Sequence, residues 1–256
     1  MGFLATQGVM HVKRFVSQSN LVIDLGMNNG DDSAYYLARG FRVVGVEANP
    51  ELCIVTNARF AAAIANGRLE IINAAITDSI GLKIFYINRA IDHWSSLDAA
   101  WAGRDGHLLE PITIDGLPIA ALFAHAGTPV YLKVDVEGAD ELVLDQLALL
   151  DELPQYLSVE DCRFGFRYLE KMTELGYCEF QLLDQSQVPQ LVDPVIQWRF
   201  LPGASGPFGE ALPGRWINAK EMMDYYSQIV RDRDGHRRAS RTHWWDIHAR
   251  GPIEAM

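Results

Sequence analysis

LVIDLGMNNG, residues 21–30, joins a short run of apolar residues to a glycine-rich turn. The apolar run predicts a buried strand, and residues 32–39 after the turn predict a helix. Gly40 is expected to end that helix, and RVVGVE at 42–47 predicts a second buried strand. The two strands and their helix have the length expected of a strand–helix–strand unit, in which both strands run parallel.

The same alternation continues as far as Leu183. Further strands are predicted at 69–76, 83–87, 131–136, 157–159 and 179–183, and further helices at 50–64, 138–150 and 218–231. Such alternation predicts an α/β protein whose mainly parallel sheet carries helices on both faces. Prolines and glycines interrupt the pattern beyond Pro189. We therefore expect an N-terminal helical or lid segment at 1–20, a core at 21–188 and a C-terminal extension at 189–256 packed on the core.

Composition limits the partners of the chain. Its 256 residues carry a formal net charge of -11, so a phosphate backbone would be repelled and nucleic acid is not expected as a partner. The three cysteines are widely spaced, which favours a reducing compartment. The chain shows neither a signal-peptide core nor a run of roughly 18 apolar residues, so we expect a cytoplasmic protein without a membrane partner. The oligomeric state is not indicated.

A ligand site is predicted where the first two strands end, because open α/β sheets bind ligands at the carboxyl ends of their strands. Gly26 and Gly30 allow the backbone to approach a ligand closely. Asp24 is expected to hold a ligand ammonium directly or through water. Glu47 lies roughly twenty residues past the glycine loop, where an acid accepts hydrogen bonds from ribose hydroxyls. Asn28 occupies the middle glycine position of G-x-G-x-x-G, which favours an amino-acid tail over a pyrophosphate.

Four segments together resemble the FkbM family of S-adenosylmethionine-dependent methyltransferases. They are DLGMNNG (24–30), VEANP (46–50), NAA (73–75) and LKVDVEGAD (132–140), and their order and spacing also match. The resemblance covers roughly residues 21–183, and the KVDVEG run is its most specific part. It implies a Rossmann-like class I methyltransferase fold and an O-methyltransferase that acts on hydroxyls of sugars or secondary metabolites.

The resemblance also implies roles for individual residues. It implies that the methionine end of S-adenosylmethionine is lined by Gly26, Asn28 and Gly30. It places the ribose on Glu47 and the adenine beside Ala75 and its neighbours, and it sets Asp135 beside the cofactor and the reacting centre. The family more often has alanine at the position of Met27, so the packing there is expected to differ.

Methyl transfer to a hydroxyl needs an in-line approach and a base for the leaving proton. The candidates for catalysis are Asp135, His93 and Glu137. Asp135 and the pair Glu160-Asp161 end neighbouring strands, so their oxygens are also candidate ligands for Mg²⁺. Acidic residues at strand ends more often bond backbone or cofactor groups, and the metal therefore stays open.

The function expected from these features is methylation by S-adenosylmethionine of a small-molecule acceptor that carries a hydroxyl. An NAD-dependent oxidoreductase or epimerase that uses Gly26, Gly30 and Glu47 is a second interpretation, and Asn28 weighs against it. A non-catalytic module that binds the cofactor is a third, because a fold does not guarantee a function.

Overall fold

The structure is a computed structural model that describes residues 13–162 and 164–253. Its strands, in chain order, are β1 (Arg14–Val16), β2 (Leu21–Leu25), β3 (Arg42–Glu47), β4 (Leu69–Asn73), β5 (Ala75–Ile76), β6 (Gly81–Asn88), β7 (Leu109–Leu117), β8 (Tyr131–Val134), β9 (Glu152–Pro154), β10 (Tyr156–Glu160), β11 (Glu179–Asp184), β12 (Ile217–Asn218) and β13 (Trp245–Arg250). Its α-helices are α1 (Asp31–Ala38), α2 (Pro50–Arg59), α3 (Ala61–Ala65), α4 (Ala99–Ala102), α5 (Ile119–Ala126), α6 (Asp140–Leu147), α7 (Gly165–Glu174) and α8 (Ala219–Ile229).

The main sheet has eight strands in the order β12-β11-β13-β10-β8-β2-β3-β4. Strands β10, β8, β2, β3 and β4 pair in parallel, whereas β13 lies antiparallel between β10 and β11. The short β12 pairs antiparallel with β11 at the edge of the sheet. The sheet is therefore mixed but mainly parallel, and the predicted α/β class is confirmed.

The two faces of the sheet are covered differently. One face packs against α5, α6, α7 and α8 through an aliphatic core that includes Leu122, Leu144 and Leu169. The other face packs against α1 and against the irregular segment 188–212, where Phe208 stacks on Tyr131 with 4.1 Å between ring centroids. Aromatic stacking of this kind lets a segment with little regular structure bury the sheet as a helix would.

The C-terminal extension does more than pack on the core, because β13 lies inside the main sheet. Ile247 and Ala249 are buried in the aliphatic core, while Asp246 and His248 alternate with them and face the opposite side. This period of two is the signature of a strand. The expected boundary at 188/189 thus does not coincide with a boundary of the sheet, and the strand at 179–184 is not the last one.

Near the N-terminus, residues 1–12 of the expected helical or lid segment lie outside the described residues. Within the described part of that segment, residues 14–16 form a strand instead of a helix, and this strand pairs in parallel with β9. Among the helices that the structure describes, none is both long and apolar enough to cross a membrane.

The predicted strand at 69–76 is two strands, β4 and β5. β4 ends the main sheet, whereas β5 joins a separate three-stranded sheet in the order β5-β7-β6. β6 and β7 form an antiparallel pair, of which the sequence pattern predicted only the first strand. The separation matters for the site, because β5 carries Ala75 away from the main sheet and beside the end of β3.

Candidate functional site

A cavity lies at the carboxyl edge of β2, β3 and β8. It contains about 620 Å³ of empty space, part of it open to solvent. The turns after these three strands line it together with residues of β5, β6 and the segment 92–97. Of the residues predicted for the site, those that line the cavity are Gly26, Asn28, Glu47, Ala75, His93, Asp135 and Glu137. The cavity therefore brings together most of the predicted site, including residues more than one hundred positions apart.

The floor of the cavity is the turn after β2. Gly26 has φ 78°, and a Cβ atom there would overlap the backbone carbonyl oxygen of Asp135. The amides of Gly26 and Met27 both donate to the carbonyl of Val46, at 3.0 and 3.1 Å. Only glycine allows this dihedral and this close approach together. The turn is thus held against two neighbouring strand ends by backbone contacts.

Glu47 connects two turns from the end of β3. Its Oε2 accepts from the amide of Asn28 at 2.8 Å, and its Oε1 accepts from the amide of Asn49 at 2.7 Å. Burial raises the pKa of Glu47 from 4.5 to about 7, although these two hydrogen bonds act in the opposite direction. Each carboxylate oxygen keeps a second lone pair, so Glu47 can still accept hydrogen bonds from a ligand in the cavity.

The turn accommodates Met27, a residue larger than alanine, because β3 carries a glycine beside it. Its buried side chain packs over Gly45 of β3, where a Cβ atom would overlap the Met27 sulfur. Gly30 has φ 80°, and a Cβ there would come within 2.5 Å of the Phe60 ring. The structure places Gly30 at the start of α1, behind the cavity lining, so it shapes the turn without forming the wall.

Asp24 and Lys133 lie beneath the cavity. Asp24 is fully buried, and its Oδ2 accepts from the Ser33 hydroxyl at 2.7 Å. The Lys133 ammonium lies 3.2 Å from Asp135, 3.4 Å from Asp24 and 3.6 Å from Asp32. Burial lowers the pKa of Lys133, but these carboxylates outweigh it and hold that pKa well above its usual value. Asp24 therefore supports a buried cation and does not itself line the cavity.

The carboxylates at the ends of β8 and β10 divide into two groups. Oxygens of Asp135, Glu137 and Glu160 all lie within 4.8 Å of one another. Asp161 does not join them, because it accepts from the Tyr226 hydroxyl at 2.5 Å and from Arg231 Nε at 3.1 Å. Of the pair Glu160-Asp161, only Glu160 thus faces Asp135, so the predicted set of oxygen ligands is not assembled as a whole.

A further carboxylate comes from β13. Asp246 pairs in register with Glu160 on the neighbouring strand, and its side chain is buried. Burial and the nearby charge of Asp135 raise the pKa of both Glu160 and Asp246 well above the usual range. This edge of the sheet therefore carries more acidic groups than one lysine can neutralise, and the sequence pattern did not indicate Asp246.

Glu137 lines the cavity, but its carboxylate has partners. Oε2 accepts from Trp101 Nε1 at 2.7 Å and from Arg104 at 3.0 Å. Burial and the charge of Asp135 raise the pKa of Glu137 to about 8. A carboxylate that accepts from two side-chain donors is a poorer candidate for a general base than Asp135, which accepts from the Lys133 ammonium at 3.2 Å.

His93 lies at the rim of the cavity. Its side chain is 66% exposed, and Nδ1 lies 3.4 Å from Asp92 Oδ1. The ring thus reaches solvent as well as the cavity. Its position permits contact with an acceptor entering the cavity, whereas Asp135 lies at the base beside the glycine turn.

One part of the cavity lining is an apolar cluster. Ala75 lies there with Ala48, Ile76, Phe85 and Leu97. Hydrophobic side chains of this size suit a flat aromatic ring, since its faces need no hydrogen-bond partners. The predicted adenine residue therefore lies in surroundings of the expected chemistry.

Besides Asp246, two residues of this site were missed in the sequence. Lys133 stands between Leu132 and Val134 in a fully buried strand, and a lysine in such a run signals a buried carboxylate partner. Arg104 carries no comparable signal, because it lies in an irregular segment distant in sequence from Glu137. Only the folded chain brings the charges of Arg104 and Glu137 together.

Comparisons with known proteins point to one family. A family model described as "Methyltransferase FkbM domain" matches residues 24–185. A search of curated proteins gave no match.

Three solved structures illustrate the similarity of shape. One is the O-methyltransferase TomG from Streptomyces achromogenes, in complex with SAM (12% identity, 92% of this chain and 75% of that chain covered, TM-score 0.41). Another is a SAM-dependent methyltransferase from Archaeoglobus fulgidus (9% identity, 92% and 88% covered, TM-score 0.41). A third is precorrin-6y C5,15-methyltransferase from Geobacter metallireducens (10% identity, 91% and 79% covered, TM-score 0.40). TM-scores at this level support no inference about the reaction.

Proposed function

This chain belongs to the FkbM family of methyltransferases, and on that premise we propose that it transfers a methyl group from S-adenosylmethionine to a hydroxyl of a sugar or other small metabolite. The observation that carries the proposal is the order of groups along one cavity. Glu47 lies between the other two parts of the lining: its carboxylate accepts from the amide of Asn28 in the turn after Gly26, and its carbonyl accepts from the amide of Ala74, beside the apolar Ala75. The amino-acid tail, the ribose and the adenine of S-adenosylmethionine occur in the same order.

The residues present fit this cofactor. Gly26 lines the cavity with backbone atoms, because the Asp135 carbonyl beside it leaves no room for a side chain. Glu47 keeps free lone pairs for ribose hydroxyls. Asn28 stands at the position of the middle glycine of a dinucleotide turn, where its side chain obstructs the close approach of a pyrophosphate. This feature weighs against NAD.

S-adenosylmethionine, when bound, supplies an electrophilic methyl group on a positively charged sulfur. We propose Asp135 as the group that orients the acceptor hydroxyl and accepts its proton, while the oxygen–methyl bond forms and the sulfur–methyl bond breaks. Lys133 holds the Asp135 carboxylate in place from below, at 3.2 Å. In this scheme His93 contacts the acceptor at the rim, and Glu137 positions the neighbouring segment.

Calorimetry and a turnover assay test the proposal. S-adenosylhomocysteine should bind and NAD should not, and a metabolite extract should gain one methyl group only when protein and S-adenosylmethionine are both present. Binding of NAD in place of S-adenosylhomocysteine would favour an oxidoreductase. Binding of S-adenosylhomocysteine with no methylation across hydroxylated acceptors would favour a non-catalytic module.

A further inference from the structure

One wall of the cavity comes from a segment without a sequence motif. Residues Asp92, His93, Ser95 and Leu97 line the cavity, and the chain continues through α4 to residue 107. We call residues 92–107 the wall segment. Its regular structure is limited to α4 and two short 3₁₀ turns, so its position depends on contacts with its neighbours.

The wall segment is attached to the turn after β8 at three points, all on Glu137. The Ser96 hydroxyl donates to the Glu137 carbonyl at 2.6 Å. Trp101 Nε1 and Arg104 both donate to Glu137 Oε2, at 2.7 and 3.0 Å. Glu137 has φ 48°, an uncommon value for a residue with a side chain. Since Asp135 is two residues away, these contacts join the wall segment to the proposed catalytic turn.

Arg104 is the centre of this attachment. Its guanidinium lies 3.9 Å from the ring centroid of Trp101 and 4.2 Å from that of Trp94. A guanidinium between two indoles gains cation–π attraction on both faces while its edge donates to a carboxylate. The side chain is only 22% exposed, so water screens the ion pair with Glu137 weakly.

We propose that Arg104 is a positioning residue, which holds the wall segment against the Glu137 turn and so completes the cofactor cavity. The inference rests on the proposed function, because it concerns the affinity for S-adenosylmethionine. Arg104 itself does not line the cavity. It acts through Glu137 on one side and through Trp94 and Trp101 on the other.

The test compares Arg104→Gln and Arg104→Lys with a matched control, Arg233→Gln. Arg233 also pairs with a carboxylate, Asp224 at 2.7 Å, and lies over the Phe166 ring at 5.3 Å, but neither it nor these partners line the cavity. Calorimetry gives the dissociation constant of S-adenosylhomocysteine, and thermal unfolding of the ligand-free protein reports any general loss of stability.

We expect Arg104→Gln to raise the dissociation constant about tenfold, the scale of one cation–π interaction with its ion pair. Arg104→Lys should fall between it and the wild type, because lysine keeps the charge and loses the planar stacking. The control should bind like the wild type. Affinities are compared at a temperature at which thermal unfolding shows each variant to be folded, because Arg104 is less exposed than Arg233 and its loss should lower stability more. Tryptophan fluorescence should also change in the two Arg104 variants.

A double-mutant cycle with Glu137→Gln locates the effect. If Arg104 acts through Glu137, the double variant should bind no more weakly than Arg104→Gln alone. Additive losses, or wild-type affinity in Arg104→Gln, would overturn the inference while leaving the cofactor proposal intact. Failure of the wild type itself to bind S-adenosylhomocysteine would refute the proposed function, and the positioning role with it.

Discussion

The two sides of the cavity are built in different ways. The turn after β2 is joined to the end of β3 by backbone hydrogen bonds, from the amides of Gly26 and Met27 to the carbonyl of Val46. The wall segment reaches the turn after β8 through side chains, with Arg104 and Trp101 on Glu137. A backbone-built side needs particular dihedrals and therefore leaves glycines in the sequence, whereas a side built by side chains leaves no local pattern. The difference explains why the glycine turn has a recognisable motif and the wall segment has none.

The largest effect is expected on the free energy of unfolding, at Lys133 beneath the backbone-built side of the cavity. Lys133→Met removes the cation but leaves Asp24, Asp32 and Asp135 close together in a buried place. Breaking a buried ion pair in this way costs roughly 3–5 kcal/mol of unfolding free energy. Urea denaturation measures it, with Lys83→Met at a more exposed pair as the control. A loss below about 1 kcal/mol would show that the carboxylates are accommodated without Lys133.

The next largest effect is expected on kcat, at Asp135, where the two sides of the cavity meet. Asp135→Asn keeps the shape of the side chain but cannot take a proton, so kcat should fall roughly 10²-fold or more. Affinity for S-adenosylhomocysteine should change much less. Steady-state kinetics and calorimetry on one preparation separate the two quantities. A folded variant with the kcat of the wild type would exclude Asp135 as the base.

Glu47 tests the backbone-built side through its pH dependence. Its ionised carboxylate is expected to accept ribose hydroxyls, so affinity for S-adenosylhomocysteine should rise with pH through about 7. Glu47→Gln should weaken binding by about 1–2 kcal/mol at pH 8 and flatten this rise. Glu51→Gln is the control, since Glu51 lies close by in the first turn of α2 and pairs with Arg89. A pH profile that survives in Glu47→Gln would assign the dependence to another group.

The raised pKa of Glu47 also has a consequence for the stability of the protein without cofactor. The pKa of Glu47 is higher in the folded chain, about 7 against 4.5, so the folded state binds more protons between these values. The contribution of Glu47 to stability is therefore full below pH of about 4.5 and is lost as pH rises through about 7. Cofactor binding and unliganded stability should thus respond to pH in opposite directions.

The smallest effect is expected at the exposed rim of the wall segment. His93→Gln should lower kcat by much less than the roughly 10²-fold expected of a general base, because the ring is largely in solvent. Turnover at saturating cofactor over a range of pH is the measurement. A loss as large as that of Asp135→Asn would move the base to His93 and place the chemistry on the side built by side chains.

The sequence predicts the parts of this protein that depend on neighbouring residues or on a fixed spacing. Gly26 and Glu47 could be placed at one cavity because they lie at the ends of buried strands that adjoin in the sheet. Asp161 and Glu160 illustrate the limit, since adjacent residues in a strand point to opposite faces and only Glu160 faces Asp135. The direction of each of these two side chains depends on which face of the sheet α8 covers, and a position at the end of a strand does not by itself reveal that face.

Other parts could not be predicted because their partners are remote in sequence. The segment 245–250 is short and follows a basic stretch, so nothing in its local sequence distinguishes a central strand from an edge strand or a loop. Their pairing with β10 and β11 depends on long-range contacts. The contacts of Arg104 likewise depend on how the segment after β6 returns to β8.

The position of β13 has a consequence for the order in which the protein can be completed during synthesis. It lies between β10 and β11, which leave the ribosome well before residues 245–250. Until then β10 and β11 each lack a neighbour on the side that β13 occupies and present unpaired backbone groups there, the kind of edge that pairs with other chains. Asp246 also joins the site only at this step. A nascent chain can therefore form the glycine turn early, but the acidic edge beside Asp135 is finished only when the last strand of the sheet is inserted.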